Sequence, residues 1–287
     1  MPRVLQAGHP QSLQQALGTQ VIAIAAFYQH QLEPYALGAH VCAVDILHDT
    51  RLSLYCPRGH ALQVGDLLTL HLDNRTGVDE YDADLSVYRL SYKARVAQVH
   101  SVHHLEVEAR EFSMVYGNEV VLAYQAPDYQ YPPDQRPALV LPNTPMTHLA
   151  ALNPDEQDNK IGVLVTGAQK QPHTSVMAFL STQADDVFLI SHPQSFKIQL
   201  LARDQRCLFA IDERASFTFS RVLDWNYELL AMQAYQVPKT HPAYLEIQHA
   251  FIDKNPWEAG FFLDPQVSMY HLKYVETLCS GEASQHL

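Results

Sequence analysis

Seven prolines, Pro127, Pro132, Pro133, Pro137, Pro142, Pro145 and Pro154, fall within one short stretch of the chain. Proline has no amide hydrogen to give to a ladder and clashes inside a helix, so neither a central strand nor a helix interior can run through this stretch. The chain is therefore expected to fold as two parts, residues 1–126 and 160–287, joined by a Pro-rich linker over 127–159. Its 287 residues are enough for two domains with real cores. No internal repeat and no low-complexity tract is visible.

The first part reads as strands. "HVCAVDIL", "RLSLYC", "DLLTLHLD", "LSVYRLSYKARVAQVH" and "HLEVEAREF" are short β-branched or aromatic runs with partial alternation, separated by polar turns such as "DNRTGVDEYDAD". Repeated strands with few helices predict a small antiparallel β-barrel. Residues 11–30 fit a helix running into a strand, although periodicity alone does not settle it. In the second part "KIGVLVTG", "PHTSVMAFLS", "DVFLIS", "RCLFAID", "SFTFSRVL", "NYELLAMQAYQV" and "VSMYHLKYVETL" read as strands. "SFKIQLLARD" and "HPAYLEIQHAFIDKNP" read as helices, the latter with Pro242 near its start and Pro256 beyond its end. The fold class expected is mainly β.

Charge and cysteine usage remove several functions. With 19 Lys and Arg against 31 Asp and Glu, a net charge of -12, the chain lacks the cation excess that nucleic-acid binding rests on. Cys42, Cys56, Cys207 and Cys279 form no CxxC pair, so neither a disulfide framework nor a zinc ribbon is indicated. The apolar run Val21–Tyr28 is far too short to span a bilayer, so no membrane partner and a cytoplasmic location are expected. The cluster "HSVHH" has no Cys or carboxylate at zinc-site spacing, and no metal is assigned. No GxSxG elbow, P-loop or GxGxxG appears, so an enzyme of this sequence needs a bound cofactor to carry its chemistry.

One lysine is unusually placed. A polar turn from Ser191 to Ser195 opens the helix "SFKIQLLARD", which puts Lys197 in its first turn. The positive end of the helix dipole makes that position mildly unfavourable for a cation unless an anion also binds there.

The order strand, turn, strand, strand, a T/S-x-x-x-S-x-K turn opening a helix, then strand resembles the FMN-binding split barrel of the pyridoxamine 5'-phosphate oxidase-like superfamily. The resemblance covers about residues 160–279 and is carried by "VLVTGAQKQPHTSVMAFLSTQADDVFLISHPQSFKIQLLARDQRCLFAID". It implies a C-terminal split β-barrel with short helices and an FMN phosphate held by Ser191, Ser195 and Lys197, with Thr174 and Ser175 where the family presents phosphate or ribityl contacts. Strand alternation sends Thr174 and Ser175 to opposite faces, so at most one of them serves a given site. Phe196 stands where the family pattern has an arginine, and no arginine lies between His173 and Leu180.

The resemblance further implies a flavoprotein oxidoreductase acting on a small-molecule substrate, and a homodimer with its flavin sites at the interface. Pyridoxamine phosphate oxidation itself is not expected, because the last strand lacks that enzyme's basic pattern. Two alternatives stand beside this reading: a regulatory split barrel that has lost its flavin, and a haem-binding one with His173, His192, His241 or His249 as the axial ligand. Trp225, Tyr227, Tyr235, Trp257, Phe261 and Phe262 are expected mainly in the core or at an interface.

Overall fold

A computed structural model describes residues 9–29, 36–75, 87–131, 134–212 and 227–280. The expected strand "SFTFSRVL" lies outside the described residues. In the first half a short helix α1 (Leu13–Leu17) leads into β1 (Gln20–Tyr28), β2 (Leu37–His48), β3 (Arg51–Tyr55), β4 (Leu67–Asp73), β5 (Arg89–Val99), β6 (His104–Tyr116) and β7 (Glu119–Gln125). The second half holds β8 (Ile161–Thr166), β9 (His173–Ala178), β10 (Leu180–Ser181), β11 (Val187–Ser191), α2 (Phe196–Leu201), β12 (Arg206–Asp212), β13 (Tyr227–Val237), α3 (Tyr244–Lys254), α4 (Ala259–Phe262) and β14 (Ser268–Ser280). The edge strand β7 is the one N-terminal strand with no counterpart among the expected runs.

Every strand pairing is antiparallel, and the two halves repeat one wiring scheme. In the first half β1 pairs with β2 and β4, β4 with β5, β5 with β6, and β6 with β3; β3 also pairs with β2, which closes the barrel. In the second half β8 pairs with β9 and β12, β12 with β13, β13 with β14, and β14 with β11. The run 173–181 is interrupted only at Phe179, so its first stretch pairs with β8 and its last, β10, with β11. The expected small barrel followed by a split barrel is thus present, and the split barrel repeats the topology of the barrel before it.

The alternation of side chains explains how the halves join. On β1, Val21, Ala23 and Ala25 point into the N-terminal barrel core, while Ile22, Ile24 and Ala26 point away from it. These three, with Ala39, Val41 and Ala43 of β2, meet Val163 and Val165 of β8, Leu208 and Ala210 of β12, and Tyr227 and Leu229 of β13 in a shared core. A strand buried on both faces reads as a continuous apolar run, as β1 and β8 do. The small residues on this face let the sheets approach. Gly162 shows how tight the packing becomes inside the C-terminal barrel, because a Cβ there would lie 2.5 Å from the Phe209 ring.

Polar groups fasten the rim of the shared core. Thr69 Oγ1 donates to Pro172 O at 2.6 Å, Gln171 Nε2 to Leu68 O at 2.8 Å, and Tyr28 Oη to Ala168 O at 2.5 Å. At one end Arg75 bonds Asp73 through Nε and Nη2 at 3.0 and 3.2 Å and lies 3.6 Å from Asp212 across the seam; His71 Nε2 sits 3.0 Å from Asp73. All four side chains are buried.

The proline-rich stretch follows the C-terminal half closely. Leu141 enters its core, and Thr144 Oγ1 lies 2.7 Å from His271 Nδ1. Among the described residues no helix is long and apolar enough to cross a membrane.

Replacing Arg75 by Met removes a buried cation from beside two buried carboxylates, Asp73 and Asp212. The expected loss is about 3–5 kcal/mol of unfolding free energy, the usual cost of breaking a buried ion pair; a urea midpoint close to wild type contradicts the role assigned to the cluster.

Candidate functional site

The five residues singled out from the sequence divide by the face they occupy. Thr174 pairs with Val165 on the face that joins the halves; it is buried, and its Oγ1 has no hydrogen-bond partner. Ser175 pairs with Leu164 on the face of the C-terminal core, as His173 does with Thr166. Alternation thus separates Thr174 from Ser175 as expected, and Ser175 is the one on the α2 side. Ser175 Oγ lies 3.1 Å from His173 Nε2.

Ser191 ends β11 and Ser195 is the N-cap of α2, yet the Ser195 hydroxyl makes no cap bond and lies 3.0 Å from Ser191 Oγ instead. The two hydroxyls therefore stand together at the opening of the helix. Two residues on, Lys197 is half-buried and forms no hydrogen bond or ion pair among the described residues. Burial holds its ammonium below the usual lysine range. One expectation needs correcting: α2 spans only six residues, too few for a substantial macrodipole, so the peculiarity of Lys197 lies in its desolvation.

Aromatic rings surround these groups. Phe196 packs edge-on against His173 with centroids 5.0 Å apart, and edge-on against Tyr131 at 6.0 Å. Lys93, from β5 of the first half, places its ammonium 4.4 Å from the Tyr131 ring centre and pairs with Glu111. Tyr131 is held by its hydroxyl, which donates to Gln171 O at 2.8 Å.

The imidazole of His173 is pushed down to about 3, first by burial and then by the positive charges of Lys93 and Lys197. It is a neutral ring at ordinary pH, and its Nδ1 is buried without a partner. The start of β9 and the turn into α2 thus gather Ser175 beside a neutral His173, the Ser191–Ser195 pair, two aromatic rings and Lys197, which has no ion-pair partner among the described residues. Such a set suits an anionic group attached to a flat apolar body.

Sequence reasoning missed Lys93 and Tyr131 as members of this cluster. Neither carries a local signal: Lys93 alternates like any half-exposed strand residue and reaches His173 only through the docking of the two halves, while Tyr131, in the Pro-rich stretch, meets Phe196 only through the path that stretch takes. Phe196, noted from the sequence as a missing arginine, packs against both His173 and Tyr131.

The histidines weighed as haem ligands fare differently. His241 has both nitrogens engaged, Nε2 with Met146 O at 2.8 Å and Nδ1 with the Ala243 amide at 3.2 Å, so it has none left for iron. His192 lies 3.8 Å from Asp264 on the surface, and His249 is exposed. Only His173 keeps a buried, unused nitrogen.

No family model matches the chain, and no curated protein matches it. Solved structures similar to part of it include HutZ, the haem storage protein of Vibrio cholerae, at 15% identity over 46% of this chain and 96% of that one, with a TM-score of 0.38. An FAD-binding protein of Mesorhizobium loti is similar at 15% identity over 42% of this chain and 83% of that one, with a TM-score of 0.34. A Listeria innocua protein put forward as a pyridoxamine 5'-phosphate oxidase is similar at 14% identity over 41% and 86%, with a TM-score of 0.30.

Because Lys197 contributes to the depression of His173, the Lys197→Ala variant is expected to raise the pH at which this ring protonates. In the wild type the His173 Cε1 proton should show no titration between pH 7 and pH 5 by NMR, whereas an ordinary imidazole titrates near 6.5. A wild-type midpoint near that value contradicts the desolvated site.

Proposed function

We propose that the rim cluster binds the phosphate of FMN and that the protein is a flavin-dependent oxidoreductase of the pyridoxamine 5'-phosphate oxidase-like split-barrel group, acting on a small molecule. One observation carries this reading: Lys197 is a desolvated ammonium with no anionic partner among the described residues, set beside paired serine hydroxyls. Removing an ammonium from water costs free energy unless a counter-charge replaces the lost solvation. A bound phosphate supplies that charge in charge-assisted hydrogen bonds, which are stronger than neutral ones.

The residues present fit such a group. Lys197 would neutralise the phosphate, with Ser191 and Ser195 as hydroxyl donors at the turn and Ser175 as a further contact. The unused His173 Nδ1 offers a hydrogen bond from a neutral ring, and Phe196 and Tyr131 give apolar surface against which a flat body can exclude water. Lys93 contributes less charge because Glu111 already answers it. FMN, when bound, supplies the hydride chemistry for which the chain has no motif of its own.

The arrangement also bears on assembly. Lys93 and Tyr131 reach the cluster from outside the C-terminal barrel, so in this reading the N-terminal half supplies within one chain the neighbour that the sequence resemblance assigned to a second subunit.

Lys197→Ala is expected to weaken FMN binding by about tenfold or more, the loss associated with one hydrogen bond to a charged group. Quenching of flavin fluorescence on titration with protein measures it, and Lys197→Met, which keeps the apolar stem, should lose as much. Unchanged affinity in both variants would overturn the assignment.

A further inference from the structure

The shared wiring of the two halves defines a second place equivalent to the cluster around Lys197. That cluster uses the start of β9, the connection after β11, and β5–β6 of the other half. The matching elements of the N-terminal half are the start of β2, the connection after β3, and β13–β14 of the other half. A cavity of about 390 Å³ lies there, lined by Phe27, Gly38, His40, Leu62, Gln63 and Leu278 among others.

Its chemistry differs from that of the Lys197 cluster. Among the described residues, none that line it is a lysine, an arginine or a carboxylate. Leu278 of β14 stands on the strand equivalent to the one that carries Glu111. Gly38 lies so close to Phe27 that a Cβ would come within 2.7 Å of that ring, and the Phe27 and His40 rings sit 4.7 Å apart at 32°. Together they make a wall of ring surface with no side chain at Gly38 to interrupt it.

His40 is one of several polar residues in the lining, with Tyr28, Gln29 and Gln63. Its Nε2 is buried with no hydrogen-bond partner, and burial, followed by the neighbouring His60, pushes the ring down to about 4, so it is neutral at ordinary pH. A buried polar atom without a partner costs about 1–3 kcal/mol, which a ligand hydroxyl or amine would recover if the His40 ring turned this nitrogen toward the cavity. The volume lies within the range of small-molecule sites, roughly 300–1,000 Å³.

We infer that this cavity is a second ligand site, selective for an uncharged, flat aromatic molecule that carries one hydrogen-bonding group for His40. An anionic ligand is disfavoured because no cation lines the walls among the described residues. The two equivalent places of the molecule thus take ligands of opposite character, one anionic and one neutral.

The test is isothermal titration of the full chain with 2-naphthol and with naphthalene-2-sulfonate, a neutral and an anionic compound on the same ring system. The expected result is saturable binding of 2-naphthol, with the sulfonate about tenfold weaker or worse. His40→Phe keeps a ring but removes the polar atom, and Leu278→Trp fills the cavity from a partly exposed position. Each should weaken 2-naphthol about tenfold, while Lys197→Ala leaves it unchanged. No saturable binding of 2-naphthol would overturn the inference, as would equal affinity for the two compounds. Affinity that survives both cavity variants, or that falls in Lys197→Ala, would overturn it too.

Discussion

The structure depends on one apolar contact, the face where β1 and β2 of the first half meet β8, β12 and β13 of the second. Each fully buried valine, leucine or isoleucine there contributes about 1.5–3 kcal/mol relative to exposure. The requirement to bury both faces of β1 and β8 dictates their unbroken apolar sequences. It also brings side chains more than a hundred residues apart into contact, as in the bonds Thr69 to Pro172 and Gln171 to Leu68.

The rims of that contact are where polar chemistry can collect. The core excludes water from the groups beside it without supplying partners for all of them. Arg75 lies between Asp73 and Asp212 at one end, and these opposite charges act as a fastening. Lys197 has no anionic partner among the described residues, and on the proposed reading that makes it a binding place. The duplicated wiring scheme places an equivalent set of elements in the other half, with Glu111 on β6 and Leu278 on the equivalent strand β14.

Much of the strand content was legible. "RLSLYC", "DLLTLHLD", "RCLFAID" and "NYELLAMQAYQV" fall on β3, β4, β12 and β13 because β-branched and aromatic residues recur between clear turns. The helix α3 was marked by its flanking prolines. The repeat was not legible, since it resides in which strands pair and not in which residues they carry. A loop over 56–66 takes the place of the connection that contains α2, and the turn at 100–103 takes the place of the long segment 238–267. Of the candidate site, the turn with Ser191, Ser195 and Lys197 could be read locally, while Lys93 arrives only by docking and Tyr131 only by the path of the Pro-rich stretch. Two cations also defied their sequence setting. Arg75 sits in a stretch that reads as a solvated turn yet is buried, and Lys254, at the end of α3, is buried with its ammonium 3.7 Å from the Phe179 ring centre and pushed down to about 7 by desolvation.

The claim that binds this account together is that the candidate site belongs to the seam and not to either half alone. Amide hydrogen exchange of the full chain, with and without saturating FMN, tests it most directly. The account predicts slower exchange on both sides of the seam at once, in residues 89–99 of β5 and in residues 173–178 and 196–201 of β9 and α2. Slowing confined to the C-terminal half, or none in any of these elements, would contradict it.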